Sequence, residues 1–374
     1  MTDPENGKRK TGTLFVIERF SEWNGFHRKC PDILAEQQFA LHASRKEEDM
    51  EYRKIPGTDM QLSVVVFGSW ANGGWNASER TDAVKAVQAS YRAGVTSFDT
   101  APLYGLGDAE TIIGEAIECL PRDKIQILTK FGLRWGIKGG IPFSSMTNAA
   151  GNPVDIVRHA GRDSVIAECE SSLKRLKTDY IDLYQLHWPD DATPMDETFE
   201  AVQMLIDQGK VRYAGVSNYS GGQMAEAEKH IRIVSNQIPY SMINRGVEKE
   251  TVRYCLDHKK AVLAYRPLES GLLTGTINPG TVFPKGDFRR DSASFTDENI
   301  RRVDNFVLQL KPLAEDKKIT IAQLVLRWTI QRTGITAVLA GAKTPEQAIE
   351  NAKAGDFTLT KKEMGYIESV LPPV

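Results

Sequence analysis

Three ionisable side chains stand at the ends of short apolar runs: Asp99 in Phe98-Asp99-Thr100-Ala101-Pro102-Leu103-Tyr104-Gly105, Lys130 in Leu128-Thr129-Lys130, and His187 in Leu186-His187-Trp188-Pro189. Tyr104 follows Asp99 within one turn. Singly, each has an ordinary reading: Asp99 as a turn cap, Lys130 as a solvated strand end, His187 as a hydrogen-bonded core histidine. Jointly they suit proton transfer. A tyrosine near pKa ~10 is a poor acid at neutral pH, but an adjacent ammonium favours the phenolate and lowers that value. A carboxylate beside the lysine keeps the ammonium charged and in place.

The apolar runs alternate with helical patterns from about residue 63 onward, as expected of βα units around a parallel sheet. Eight strands are read, at Ser63–Phe67, Val95–Asp99, Ile125–Lys130, Ile181–His187, Arg212–Ser217, Val234–Gln237, Ala261–Tyr265 and Ala337–Ala340. Eight is the number of a (β/α)8 TIM barrel, in which catalytic groups lie at the C-terminal strand ends. Val84, Val87 and Tyr91 give a helical stripe closed by Gly94, and Ile166, Cys169, Leu173 and Leu176 give another. Thr193 is placed as the cap of a helix with Pro194 at its first position and Gly209 at its end. Two connections, Phe131 to about Asp163 and Arg266 to about Ser294, exceed simple turns and follow strand ends, so they are expected to shape a binding site. Residues 1–49 lack the alternation and are read as an appended, partly disordered extension, with residues 50–374 forming a single α/β barrel domain.

Composition excludes several function classes. The 374 residues are 41% hydrophobic and 26% charged, and 47 Lys+Arg against 49 Asp+Glu leave a net charge of -2, without the basic surplus of a nucleic-acid partner. Cys30, Cys119, Cys169 and Cys255 are widely spaced, which suggests neither a zinc site nor a disulfide framework, so a reducing compartment fits. The six histidines form no HxH or HExxH pair, and no metal is expected. With no run of eighteen apolar residues and no secretory signal, the expected location is the cytoplasm, away from any membrane. Gly105-Leu106-Gly107-Asp108-Ala109-Glu110 carries glutamate where a dinucleotide fingerprint needs its third glycine, so a Rossmann domain is not expected. Oligomeric state has no signature in the sequence.

The order Asp99, Tyr104, Lys130, His187 in these contexts resembles the aldo-keto reductase family, in the branch that includes potassium-channel β subunits. The likeness spans residues 51 to 371 and extends through Gly105-Leu106-Gly107-Asp108-Ala109-Glu110, Leu186-His187-Trp188-Pro189-Asp190, Gly215-Val216-Ser217-Asn218-Tyr219 and Gly341-Ala342-Lys343-Thr344-Pro345-Glu346-Gln347. It implies reduction of an aldehyde or ketone by hydride from NADPH, in preference to NADH. Tyr104 would be the proton donor, Lys130 would lower its pKa, Asp99 would hold Lys130, and His187 would orient the carbonyl oxygen. By the same resemblance Ser69 and Trp70 lie by the nicotinamide ribose and substrate, and Ser217, Asn218 and Gln237 hold the carboxamide. Tyr265 stacks beneath the ring, and Ser270 and Leu272 line the pyrophosphate path. Lys343, Thr344 and Gln347 take the 2′-phosphate, with Gln347 standing where many members have arginine, and Glu350 and Asn351 take the adenine. Trp75, Trp135 and Trp188 are further candidates for an aromatic pocket. The competing reading is a cofactor-binding regulatory or docking module with little turnover; the intact set of four residues favours the enzyme.

Overall fold

The computed structural model describes residues 50–72, 80–148 and 150–373; the proposed extension over 1–49 and Trp75 lie outside them. The chain opens with a hairpin, β1 (Tyr52–Lys54) and β2 (Gln61–Ser63), before the first barrel strand, β3 (Val65–Gly68). There follow helix α1 (Arg80–Arg92), strand β4 (Ser97–Asp99), helix α2 (Asp108–Ile117) and strand β5 (Gln126–Phe131). An antiparallel sheet of β6 (Leu133–Arg134), β7 (Ile141–Thr147) and β8 (Pro153–Arg158) interrupts the alternation. Next come α3 (Arg162–Leu176), β9 (Ile181–Leu186), α4 (Met195–Asp207), β10 (Val211–Ser217), α5 (Gly221–Ala227) and β11 (Ile233–Pro239). The circuit ends with α6 (Arg253–Asp257), β12 (Ala261–Tyr265), α7 (Asp297–Lys317), α8 (Ile321–Ile330), β13 (Ala337–Gly341), α9 (Pro345–Ala352) and α10 (Lys361–Val370).

Eight strands pair in parallel in the order β3-β4-β5-β9-β10-β11-β12-β13, and β13 returns to β3 to close the barrel. The predicted (β/α)8 TIM barrel is therefore the fold. The region read as one strand, Ser63–Phe67, divides at Val64 into the end of the hairpin and the start of the barrel. The hairpin supplies Ile55, Met60 and Leu62 to one buried cluster with Val66, Leu128, Leu183, Val234, Leu263 and Leu339. It caps the end of the barrel where the strands begin, tied by Arg212 to Asp59 at 2.8 Å. A larger buried cluster lies between the strands and the helices.

Strand alternation positions the chemistry. Successive side chains take opposite faces, so Lys130 points with Leu128 into the barrel, and Gln185 points with Leu183. At Gly215 a Cβ would come within 2.6 Å of Ser235 Oγ and 3.1 Å of Gln185 Cγ; the crowded barrel has no room for a side chain there. Thr193 does not cap α4 as read from the sequence: its hydroxyl donates to Asp190 Oδ2 at 2.6 Å, and Pro194 stands before the helix without a side-chain cap. True caps occur at Ser220, Thr320 and Thr360, each accepting from a backbone N–H three residues on. No helix of the described residues is long and apolar enough to cross a membrane.

Candidate active site

Asp99 ends β4, Lys130 is the next-to-last residue of β5, and His187 follows β9, which brings all three to one barrel mouth. Tyr104 joins them from a tight turn, where Gly105 at φ +61° and Leu106 at φ +53° reverse the chain before α2. Lys130 Nζ donates to Asp99 Oδ1 at 2.5 Å and to Thr100 O at 2.9 Å, and lies 4.9 Å from the centre of the Tyr104 ring. The Tyr104 and His187 rings meet edge to face at 5.8 Å. Asp99 also accepts from the amides of Gln237 at 2.7 Å and Gln185 at 3.3 Å, so its second oxygen is satisfied without solvent.

Burial sets the protonation states. Burial opposes the Lys130 charge, but Asp99 and Tyr104 outweigh it and hold the ammonium above its ordinary pKa. The net direction at Tyr104 corrects the sequence reading: burial raises its pKa, and Lys130 offsets this only in part while Asp99 adds to it. The phenol thus stays protonated at neutral pH. Burial, and then Lys130, hold His187 well below its ordinary value, so its imidazole is neutral. A neutral imidazole, a protonated phenol and a buried ammonium together can bind a carbonyl oxygen and give it a proton as it becomes an alkoxide.

The residues named for a nicotinamide at the ends of β10, β11 and β12 lie beside this group. Ser217 Oγ donates to Gln237 O at 2.8 Å. The Asn218 amide donates to His187 O at 3.1 Å and accepts from Tyr265 Oη at 2.8 Å. Gln237 is turned toward Asp99. Ser69 is fully buried and its hydroxyl has no hydrogen-bond partner among the described residues. Trp70 is exposed and meets Phe288 edge-on at 5.3 Å; Trp188 meets Phe143 at 5.5 Å. Each pair joins a residue just after a barrel strand to one of the two long connections. Trp135 lines a separate cavity.

A second polar group forms after β12 and β13. Ser270, at φ +55°, and buried Leu272 belong to a short turn. Thr344 caps α9, while Gln347 accepts from Lys343 N at 2.9 Å. Burial and the nearby Arg289 lower the Lys343 pKa against the pull of Asp287. Arg289 pairs with buried Asp287 at 2.6 Å and donates to Ser270 O at 3.4 Å. Two neighbouring cations with one carboxylate suit a phosphate, and the orphaned Ser69 hydroxyl suits a polar ligand, so the residues present fit a nicotinamide dinucleotide. Asn351 holds Gly341 O at 3.0 Å, and Glu350 is half-buried beside it. Arg289 and Asp287, which lie in an aperiodic connection, are not among the residues read from the sequence, nor is Gln185, whose place two residues before His187 on the same strand face is the signal that marks it.

Comparison with known proteins agrees with the geometry. The family model for the aldo/keto reductase family matches residues 64–372. Aldo-keto reductase YhdN of Bacillus subtilis is 34% identical over 326 residues, covering 86% of this chain and 94% of that protein. The NADH-specific methylglyoxal reductase of Escherichia coli is 34% identical over 317 residues, covering 82% of this chain and 95% of that protein. The structure of the glycerol dehydrogenase AKR11B4 from Gluconobacter oxydans superposes with a TM-score of 0.77 at 32% identity, over 86% of this chain and 97% of that one.

Proposed function

The chain belongs to the aldo/keto reductase family of nicotinamide-dependent oxidoreductases, and from that premise we propose that it reduces an aldehyde or ketone with hydride from NADPH, using Tyr104 as proton donor. The observation that carries this reading is the buried Lys130 ammonium held between Asp99 and the Tyr104 ring. Replacing a buried ion pair by well-packed apolar residues is often neutral or stabilising by about 1–4 kcal/mol, so stability alone is a weak reason to keep it. Neutral His187 completes the set as a partner for the carbonyl oxygen.

The cofactor supplies the hydride when bound; the chain's own residues position and protonate. Ser217, Asn218 and Gln237 would hold the carboxamide, Tyr265 would stack under the ring, and Ser69 with Trp70 would border the ribose and substrate. Ser270 and Leu272 would lie along the pyrophosphate, Lys343, Thr344 and Gln347 at the 2′-phosphate, and Glu350 and Asn351 at the adenine. Support for NADPH over NADH is the pairing of Lys343 with Arg289, two cations of which Asp287 neutralises one. The Escherichia coli relative, whose name states NADH specificity, makes cofactor choice the point to measure.

The test follows nicotinamide absorbance with an activated aromatic aldehyde, with and without chelator, using NADPH and NADH in parallel. Turnover that survives chelation, faster with NADPH, is the expected result. Tight cofactor binding with no turnover of any carbonyl compound would replace this reading by a regulatory or docking module.

A further inference from the structure

Between the Tyr104 turn, β6 and α3 lies a cavity of about 180 Å³ lined by Pro102, Arg134, Trp135, Glu168, Ser171 and Arg175. Its charges do not cancel. Arg175 pairs with Glu110 at 2.7 Å, and the other oxygen of this fully buried carboxylate accepts from Thr129 at 2.6 Å. Arg134 donates through Nη1 to Ser164 O at 3.3 Å and Oγ at 3.1 Å, and the same nitrogen lies 3.7 Å from Glu168. Arg134 Nε and Nη2 and Arg175 Nη1 have no hydrogen-bond partner among the described residues. Glu168 itself accepts from Gly132 N with both oxygens at 3.2 Å, and burial pushes its pKa up to about 8 despite Arg134. At neutral pH the acid is therefore mostly uncharged, and two guanidinium groups face one carboxylate.

We propose that this cavity binds a small oxyanion, of the phosphate, sulfate or carboxylate class, between Arg134 and Arg175. The unused N–H groups are the donors such an anion needs, and guanidinium is the side chain suited to it. The room is sufficient: a water occupies about 30 Å³ of liquid volume, so the cavity holds an anion and part of its hydration.

Occupancy is coupled to a proton. Ionised Glu168 repels an anion and neutralises Arg134, whereas the neutral acid does neither, so affinity falls as pH rises through about 8. The groups facing Glu168 are Arg134 from β6, Glu110 from α2 and Tyr184 from β9, while Arg175 on its own helix lines the same cavity; Tyr184 is held well above its ordinary value of 10.0 by burial and stays neutral in this window. The cavity's lining residues also reach the two segments that carry Lys130 and Tyr104. Glu168 holds Gly132, two residues beyond Lys130, and Arg175 packs so closely on the Tyr104 turn that a Cβ on Gly107 would lie 2.9 Å from its Cδ.

Sulfate is the probe, because its charge is constant between pH 7 and 9. It is titrated into the full chain at fixed ionic strength, with tryptophan fluorescence as readout, in a Lys343→Ala background that removes the cationic segment after β13. The expected result is a saturable response at pH 7, weaker at pH 9 by up to about tenfold, and at least tenfold weaker at pH 7 when Arg134→Gln is added. Glu168→Gln, a neutral isostere, is expected to bind sulfate equally at both pH values, and this arm stands even if the Arg134 variant fails to fold. A response that vanishes on Lys343→Ala, persists at full strength in Arg134→Gln, or never saturates and so reports an adventitious ion only, overturns the proposal. So does a pH dependence that Glu168→Gln leaves unchanged. Binding is read without turnover, so the result is independent of the proposed reaction.

Discussion

Lys130 is the residue on which the proposed chemistry turns, because it is fully buried and still charged. Its partner Tyr104 should stay protonated until it meets a developing alkoxide. Tyr104→Phe is predicted to lower kcat by about 10²–10⁴-fold while leaving cofactor affinity unchanged within about twofold, since the hydroxyl acts on substrate oxygen in the transition state. Steady-state kinetics together with cofactor titration check this, and equal turnover would mean that another group donates the proton. At the second cluster, Lys343→Ala should weaken NADPH by about 1.5–3 kcal/mol, with little change for NADH, which lacks the phosphate. Equal losses would remove Lys343 from the phosphate site. Asp99, Lys130 and His187 were legible in the sequence because ionisable residues are unusual at strand ends, and Tyr104 because it stands in the turn directly after Asp99. Arg289 was not: its connection has no period, and only folding brings it to Ser270 and toward Lys343. The pKa direction of Tyr104 was also beyond the sequence, which names the ammonium but not the depth of burial that outweighs it.

Among the elements, α3 carries a group whose effect on stability can be measured. The Glu168 pKa is about 8 in the folded chain against an ordinary 4.5, so between those values the native state binds a proton that the unfolded state lacks. Its contribution is present in full below 4.5 and is lost as pH rises toward 8, at roughly 1.4 kcal/mol per pH unit at most. Wild-type Tm is predicted to fall more steeply between pH 5 and 8 than that of Glu168→Gln. Parallel curves would show that Glu168 ionises normally. Strands and helices were readable where burial imposes a period, as at Ala261–Tyr265, whose limits match. The β1–β2 hairpin was missed because its strands are three residues each, too short for alternation to show. Thr193 misled because its sequence suits a cap, while Asp190 nearby offers its hydroxyl a carboxylate instead. The β6–β8 sheet was read only as a long connection, since β7 is mostly exposed and lacks an apolar face.

At the scale of the whole molecule, the first described residue already packs on the barrel. Met50 is buried, and Glu51 N donates to Gly355 O at 3.2 Å. A chain starting at Met50 is accordingly predicted to fold with Tm within about 3 °C of the full chain, roughly a 1 kcal/mol effect at this size, and to keep its rate with NADPH. A large fall in either would make residues 1–49 part of the working fold. The family, the barrel and the four-residue cluster together make one central claim: hydride passes from the nicotinamide to a carbonyl carbon while Tyr104 protonates the oxygen. It is tested most directly by running the reaction with NADPH deuterated at the transferring position and locating the label in the alcohol. The account predicts one deuterium on the carbinol carbon and none exchanged with water, with the rate of its appearance collapsing in Tyr104→Phe. An alcohol free of deuterium at that carbon, or labelled product formed at the wild-type rate without the tyrosine hydroxyl, would contradict it.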